Sequence, residues 1–443
     1  MNPHLRKTPT LVQKMLSARA FYVLLSIPIK LLWVLLKYPF VGGLNEKFRN
    51  SLRNSLKLQL YRTALSMPVK DAHILGILSN YFLINKLIKT LYPNLTRNLN
   101  NYGKRYDKQS FWLVEATNRS KHDPILIFLH GGGYYIETMP EQFESLLSIY
   151  HLVDSEKRLK LSMVFLDYKL ASRGAPVTTQ LYQLAEVYEK LTIRDGNTNI
   201  SLIGDSAGGH LAITFLQYLK QQQNEKLPWP KSNILISPWV KLHPEPHQGT
   251  KGWSYFENSK RDIIQYRYFH EIDRQKAIIG DVTHLRYYEE SGHQKIKKED
   301  LDHLDMLISP GNLTYKYSDW EDIPSLNDKG HSVFVVLGEH EVFRDDILEW
   351  CQYALKSPLI KQKIDSKGVL DAKLHNYEDN GGNLNGAHVQ VFVEPWGVHD
   401  ATLFFENNIA SKLKRNPRLS LKDLDRKEFF GVVRIVEFIN KYV

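Results

Sequence analysis

With 443 residues, 43% of them hydrophobic and 24% charged, the chain can bury a large core, which excludes a disordered or low-complexity polymer. Its single cysteine excludes an intramolecular disulfide framework and suggests no cysteine-based metal site. The net charge of +10 is concentrated: residues 1–70 hold twelve Lys and Arg against one acid, Glu46, so that 71–443 come to −1. Nucleic-acid binding would need basic residues spread over a folded face with aromatics among them, and none is expected here.

The basic region 1–70 reads as a membrane-anchor region, with membrane lipid as the expected partner. Its apolar run, 20–36, is interrupted by Pro28 and Lys30 and bracketed by Arg19 and Lys37. About 17 residues is the short limit for crossing a bilayer, and a mid-span lysine is costly unless it snorkels, so attachment is expected more than a full span. A cleaved signal peptide would have a shorter apolar core and a small-residue cleavage site after it. Over 44–65, Leu44, Phe48, Leu52, Leu56 and Leu60 recur every fourth position with Lys47, Arg49, Arg53 and Lys57 between them. This is a basic amphipathic helix, suited to an anionic membrane surface or to packing on the body. Residues 72–92, rich in Ile, Leu, Tyr and Phe, form a second apolar helix candidate.

From 71 to 443 the pattern is that of one α/β domain. Six short apolar runs, at 125–129, 162–167, 199–203, 233–237, 332–337 and 389–393, are mostly separated by segments long enough for a helix. That pattern predicts a doubly wound, mostly parallel sheet buried on both faces. No internal repeat is found.

The chemistry-bearing residues follow the ends of those runs. His130-Gly131-Gly132-Gly133 comes directly after the first run, and a glycine turn there leaves backbone N–H groups free to face a developing oxyanion. Gly204-Asp205-Ser206-Ala207-Gly208 follows the third and opens a helix, the G-x-S-x-G nucleophile elbow. Ser206 is the candidate nucleophile, with oxyanion donors at Gly131, Gly132, Gly133 and Ala207. An acid and then a base should follow the serine. The fifth run ends in Gly338-Glu339-His340-Glu341-Val342-Phe343-Arg344-Asp345-Asp346, where Glu341 is the first choice of acid and Asp345, one helical turn on, the second. After the last run comes Trp396-Gly397-Val398-His399-Asp400, and its position singles out His399 among 17 histidines as the base. The 58 positions between Glu341 and His399 include 376–386, an exposed loop by composition, whose length costs little because closure entropy grows logarithmically.

With these motifs the chain resembles the hormone-sensitive-lipase-like branch of the α/β-hydrolases over about residues 110–443. The likeness extends to Asp167-Tyr168-Lys169-Leu170-Ala171 and Ser237-Pro238-Trp239. Within that branch it most resembles fungal steryl acetyl hydrolases and, more loosely, arylacetamide deacetylases. The branch usually has aspartate where Glu341 stands, and glutamate is a tolerated variant of the triad. The resemblance implies a helical cap, whose parts are expected near 72–92 and 241–308, the latter with Trp253, Tyr255, Phe256, Tyr266, Tyr268 and Phe269 over an apolar pocket. It also implies an endoplasmic reticulum enzyme with a lumenal catalytic domain, in which the sequons at Asn94, Asn118 and Asn312 could be glycosylated; that at Asn199 begins a strand and is a poor acceptor.

The expected activity is hydrolysis of an apolar ester through a Ser-His-acid triad, with no cofactor and no metal. The resemblance implies a sterol ester with a short acyl group as the substrate. A broader carboxylesterase, an acyltransferase using the same triad and a non-catalytic hydrolase-fold membrane protein are the alternatives.

Overall fold

All six apolar runs become strands, and their alternate side chains divide between two cores. In the second strand-forming run, Val164 and Leu166 join one hydrophobic cluster while Met163 and Phe165 join the other; Ile127 and Phe128 divide in the same way. Burial of both faces explains why these runs read as continuous rather than alternating hydrophobics. The computed structural model describes residues 16–443 except 77, 223–226, 243, 281–305, 312–315, 362–365 and 382–385.

The sheet has nine strands: β1 (Arg105–Asp107), β2 (Ser110–Val114), β3 (Ile125–Leu129), β4 (Ser162–Leu166), β5 (Ile200–Asp205), β6 (Ser232–Ile236), β7 (Ser332–Gly338), β8 (Asn376–Asp379) and β9 (His388–Glu394). Their order is β1-β2-β4-β3-β5-β6-β7-β9-β8. Strands β3, β4, β5, β6, β7 and β9 run parallel, with β1, β2 and β8 antiparallel at the edges. Helices between the parallel strands cover both faces, giving the doubly wound α/β-hydrolase architecture. Register pairs Leu129 with Gly204, Asp205 with Ile236 and Gly338 with Glu394, so the ends of the strands that carry the candidate residues lie side by side.

Three strands depart from the sequence reading. β1, at three residues, is too short to stand out, whereas β2, with five buried residues like β3, is absent from the sequence reading. Asn376–Asp379, read as loop, is an edge strand on β9, because its backbone groups find the free side of that strand; 382–385 lie outside the described residues.

Of the N-terminal elements, the first helix outruns the apolar stretch 20–36, whereas the next two are shorter and more broken than the sequence suggested. Helix α1 (Ala18–Val41) starts at the cap Ser17 and ends at Gly42, whose φ of +71° suits a glycine C-cap. It buries Ala20, Val23, Ser26 and Val34 and leaves Phe21, Leu25, Ile29, Leu32, Leu36 and Phe40 exposed along its other side. The amphipathic helix expected over 44–65 is helical only from Leu52 to Ala64 (α2), since Ser51 caps it and 46–48 form a 3-10 turn. Its Ser55, Leu58 and Tyr61 side packs on the body, while Leu52 and Leu60 of the predicted stripe remain exposed. Phe48 stacks on Phe405 with centroids 4.5 Å apart.

In 72–92 a 3-10 turn reaches Ile74, and helix begins only at Asn80, behind the cap Ser79. It passes through a π turn, Leu83–Ile88, to Leu91, and Ile77 lies outside the described residues. In the segment 241–308 short helices occur at Ser254–Glu257 and Ile272–Ile279. Residues 281–305 and Asn312 are outside the described residues.

Candidate active site

The turn after β5 forms because it is glycine on both sides of Ser206. A Cβ on Gly204 would come within 2.4 Å of Gly208, and one on Gly208 within 1.8 Å of the Leu129 carbonyl oxygen. Close approach of helix α5 (Ala207–Gln222), the fifth long helix among the described residues after α1, α2, α3 (Pro140–Leu152) and α4 (Thr179–Glu189), to β3 and β5 therefore requires both glycines. Ser206 takes a φ of +49°, uncommon for a residue with a side chain, and is held there by its N–H to Ile236 O (2.9 Å) and by Trp239 N–H to its carbonyl (2.9 Å).

The hydroxyl of Ser206 lies 2.8 Å from His399 Nε2. His399 sits in the loop after β9, fully buried, with Phe343 edge-on to its ring at 4.9 Å. On the other side of the ring, Glu341 Oε1 is 3.8 Å from Nδ1, an ion-pair distance longer than a hydrogen bond. Both atoms are buried with no hydrogen-bond partner, so each is the other's polar neighbour. The second Glu341 oxygen accepts from Ser237 Oγ (2.7 Å) and Gly338 N–H (2.8 Å), which fixes the carboxylate against β6 and β7. Asp345 is turned elsewhere: its oxygens accept from Ser254 N–H (2.8 Å) and Arg344 Nε (2.9 Å).

Two further acids stand by the imidazole and were not singled out by sequence. Asp400 Oδ2 is 3.2 Å from His399 Nε2. Asp262, from the segment expected to form part of a cap, is fully buried and accepts the N–H groups of His399 (2.9 Å), Val342 (2.7 Å) and Ile263 (2.7 Å). Burial pushes the Asp262 carboxyl up to about 7, against the pull of His399 and of the two N–H donors. Burial works against charge on His399, yet the carboxylates of Asp400 and Glu341 outweigh it and raise its pKa well above the usual imidazole value.

The glycine turn after β3 is built to a definite shape. Gly132 and Gly133 have φ of +103° and +59° and line the pocket together with Ser206. Gly131 does not serve as expected: its N–H donates to Asp205 Oδ1 (2.9 Å) and is taken up inside the fold. Gln142 donates to the other oxygen of Asp205 (2.8 Å). His130 stacks on Tyr168 at 4.1 Å, and the Tyr168 hydroxyl donates to the His130 carbonyl. Tyr134 OH lies 2.6 Å from His210 Nδ1, whose Nε2 is 2.9 Å from Ile308 O; the carbonyl fixes the proton on Nε2, so the tyrosine donates. Ala207 opens α5, where first-turn N–H groups have no acceptor inside the helix.

Above the serine lies a mostly apolar pocket. Tyr61 and Leu65 enter from α2 and the residue after it, Ile264, Phe269 and Ile278 from the segment 254–279, and Trp239 and Phe404 from the stretches after strands β6 and β9. Of the aromatics expected over the pocket, Tyr268 and Phe269 line it, while Tyr255 packs behind them against Phe269 and Phe343. Arg274 also reaches the pocket, with its guanidinium bonded to Tyr135 OH (2.6 Å), Met67 O (3.2 Å) and Glu271 (3.1 Å). Among the described residues no cluster of His, Cys, Asp and Glu is arranged to hold a metal ion.

Compared with known proteins, residues 79–364 match the family model described as steryl acetyl hydrolase. The steryl acetyl hydrolase homologue mug81 of Schizosaccharomyces pombe is 30% identical over 355 residues, 76% of this chain and 84% of its own. Steryl acetyl hydrolase 1 of Saccharomyces cerevisiae is 29% identical over 140 residues, 30% of this chain and 31% of that protein. Among solved structures, an esterase of the bacterial hormone-sensitive lipase family aligns with a TM-score of 0.45 at 17% identity, covering 87% of this chain and 98% of that one.

Proposed function

The chain belongs to the steryl acetyl hydrolase family and is a carboxylic ester hydrolase, and we propose that it removes an acetyl or other short acyl group from an apolar alcohol of sterol type at a membrane. The observation that carries the reading is the 2.8 Å contact between Ser206 Oγ and His399 Nε2 on the floor of an apolar pocket.

In this mechanism His399 takes the hydroxyl proton as Ser206 Oγ adds to the ester carbonyl. Glu341, at Nδ1, keeps the proton of the ring on that side and stabilises the imidazolium. The N–H groups of Gly132, Gly133 and Ala207 receive the oxyanion. Collapse of the tetrahedral species breaks the bond to the alkoxy oxygen, which leaves with the proton from Nε2. Water, deprotonated by the same nitrogen, then releases the carboxylic acid and restores Ser206. Asp345 is left out because its carboxylate is committed to Ser254 and Arg344.

Membrane attachment is assigned to α1, whose 24 residues include an 18-residue stretch with a mean hydropathy of 1.8. At about 1.5 Å per residue they are long enough to cross a hydrocarbon core. A lumenal body in the endoplasmic reticulum is supported by the exposure of Asn94 and Asn118 and is tested by glycosidase-sensitive mobility.

The test of function is hydrolysis by the purified full chain of a sterol acetate, a long-chain sterol ester and an aryl acetate, with Ser206→Ala beside it. Release of acetate from the sterol and the aryl ester, little from the long-chain ester, and loss of nearly all turnover in Ser206→Ala are expected. Turnover retained by Ser206→Ala removes the serine mechanism, and preference for the long acyl chain removes the short-acyl assignment.

A further inference from the structure

The cap segment 254–262 is stitched to the loops carrying Glu341 and His399. Ser254 Oγ donates to Val342 O (2.7 Å), and Asn258 Nδ2 donates to Glu341 O (2.9 Å). Asp262 goes further, since its carboxylate joins the two loops. One oxygen takes the N–H of Val342, the residue after Glu341, and the other takes the N–H of His399 itself together with that of Ile263. Neither oxygen is hydrogen-bonded to the imidazole. The segment is held in turn by α2: the Arg62 guanidinium donates to the carbonyls of Asp262 and Ser259, the latter at 2.6 Å.

We propose that Asp262 is a positioning residue for ester hydrolysis, clamping the Glu341 loop to the His399 loop, with Arg62 of α2 holding the clamp in place. The proposal rests on the assignment of Ser206, His399 and Glu341 made above.

The chemistry of the residue explains why it is an aspartate. Each carboxylate oxygen accepts from a different loop. An asparagine offers one acceptor and an NH2, so that either Val342 or His399 would meet its donor with a donor, and one loop would be released. A buried carboxylate in a core is costly, and three N–H donors on its two oxygens offset part of that cost. Its charge also belongs to the set around the imidazole: Glu341 from the acid loop, Asp400 from the histidine loop, Asp205 from β5 and Asp262 from the cap.

Two consequences separate a clamp from a merely stabilising contact. Loosening it misplaces the acid relative to the base, which lowers kcat while the apolar pocket still sets KM. Removing its negative charge makes the imidazolium less favourable, so the acid limb of kcat/KM moves to lower pH.

The experiment is steady-state hydrolysis of an aryl acetate against pH by the full chain, Asp262→Asn and Arg62→Gln, each checked for folding by its thermal transition. Fluorophosphonate labelling of the unaltered chain at Ser206 comes first, and its absence defeats the triad assignment itself, independently of the variants. Given labelling, Asp262→Asn is expected to lose about 10- to 100-fold in kcat, as small misplacements do. Its KM should stay within about threefold and its acid limb should move downward, a smaller loss following in Arg62→Gln. On a Glu341→Gln background Asp262→Asn should add little, because both act through His399. Unchanged kcat and acid limb in folded Asp262→Asn overturn the proposal. Should that variant not fold, unchanged kcat in folded Arg62→Gln overturns it.

Discussion

The site has two halves that are built in opposite ways. The half with the proposed nucleophile is compact: Ser206, its glycines, Asp205 and the turn His130–Gly133 come from the ends of adjacent strands β3 and β5 and bond to one another. In the acid and histidine half, by contrast, Glu341 and His399 are held by groups distant in sequence, Ser237, Asn258 and Asp262. Both are held by hydrogen bonds, but the first depends in addition on the close backbone approach that Gly204 and Gly208 permit beside Ser206. Damage to the first should therefore show as lost fold, and damage to the second as lost rate.

The largest effect to expect is from Gly208→Ala. Its Cβ would stand 1.8 Å from a backbone oxygen of β3, a clash with no flexible side chain to absorb it. A loss at or beyond the upper end of the about 1–3 kcal/mol usual for overpacking is expected, read as a large fall in Tm or insoluble protein. A Tm within a degree or two of the unaltered chain would contradict the steric account.

In the other half, Glu341→Gln should keep its fold and lose on the order of 10³ to 10⁴ in kcat, as replacement of a triad acid by its amide does. Asp345→Asn, which loosens the bonds to Ser254 and Arg344, should lower Tm with kcat within about tenfold. If the two variants exchanged these behaviours, Asp345 would be the acid.

A smaller effect separates charge from position. The proposed mechanism needs His399 neutral, and Asp400 and Glu341 raise its pKa, so the acid limb of kcat/KM should lie above the usual imidazole value of about 6.5. Because the group's pKa is raised, the neutral form is gained as pH rises through it. Asp400→Asn removes part of the elevation and should move the limb to lower pH; a limb that stays in place or rises assigns Asp400 no charge effect on the ring.

The smallest effect belongs to the support of the glycine turn. Tyr134→Phe deletes the hydroxyl bonded to His210 and leaves the ring in place. About 1 kcal/mol of stability should go, with kcat changed by a few-fold at most.

The same contrast explains what could be read beforehand. The six central strands, the elbow and the late histidine were legible because each is a short local pattern tied to a strand end. Gly131 was misassigned because its N–H is claimed by Asp205, a bond across two strands that no spacing encodes. Asp262 carried no signal at all, since an isolated aspartate in an aromatic-rich stretch looks like any surface acid until Val342 and His399 fold around it. The helix expected over 44–65 was overextended because a stripe of leucines does not register the cap at Ser51, which starts the helix at Leu52.

The bond from Gly131 to Asp205 has a consequence for motion. Since Asp205 ends β5 and is bonded to the peptide of Ser206, whatever displaces the nucleophile carries the glycine turn with it. In the proposed mechanism this keeps the distance from the Ser206 hydroxyl to the N–H groups of the glycine turn constant. In amide hydrogen exchange the Gly131 N–H, though in a turn, should therefore exchange as slowly as the amides of β5, with the cap amides far ahead of both.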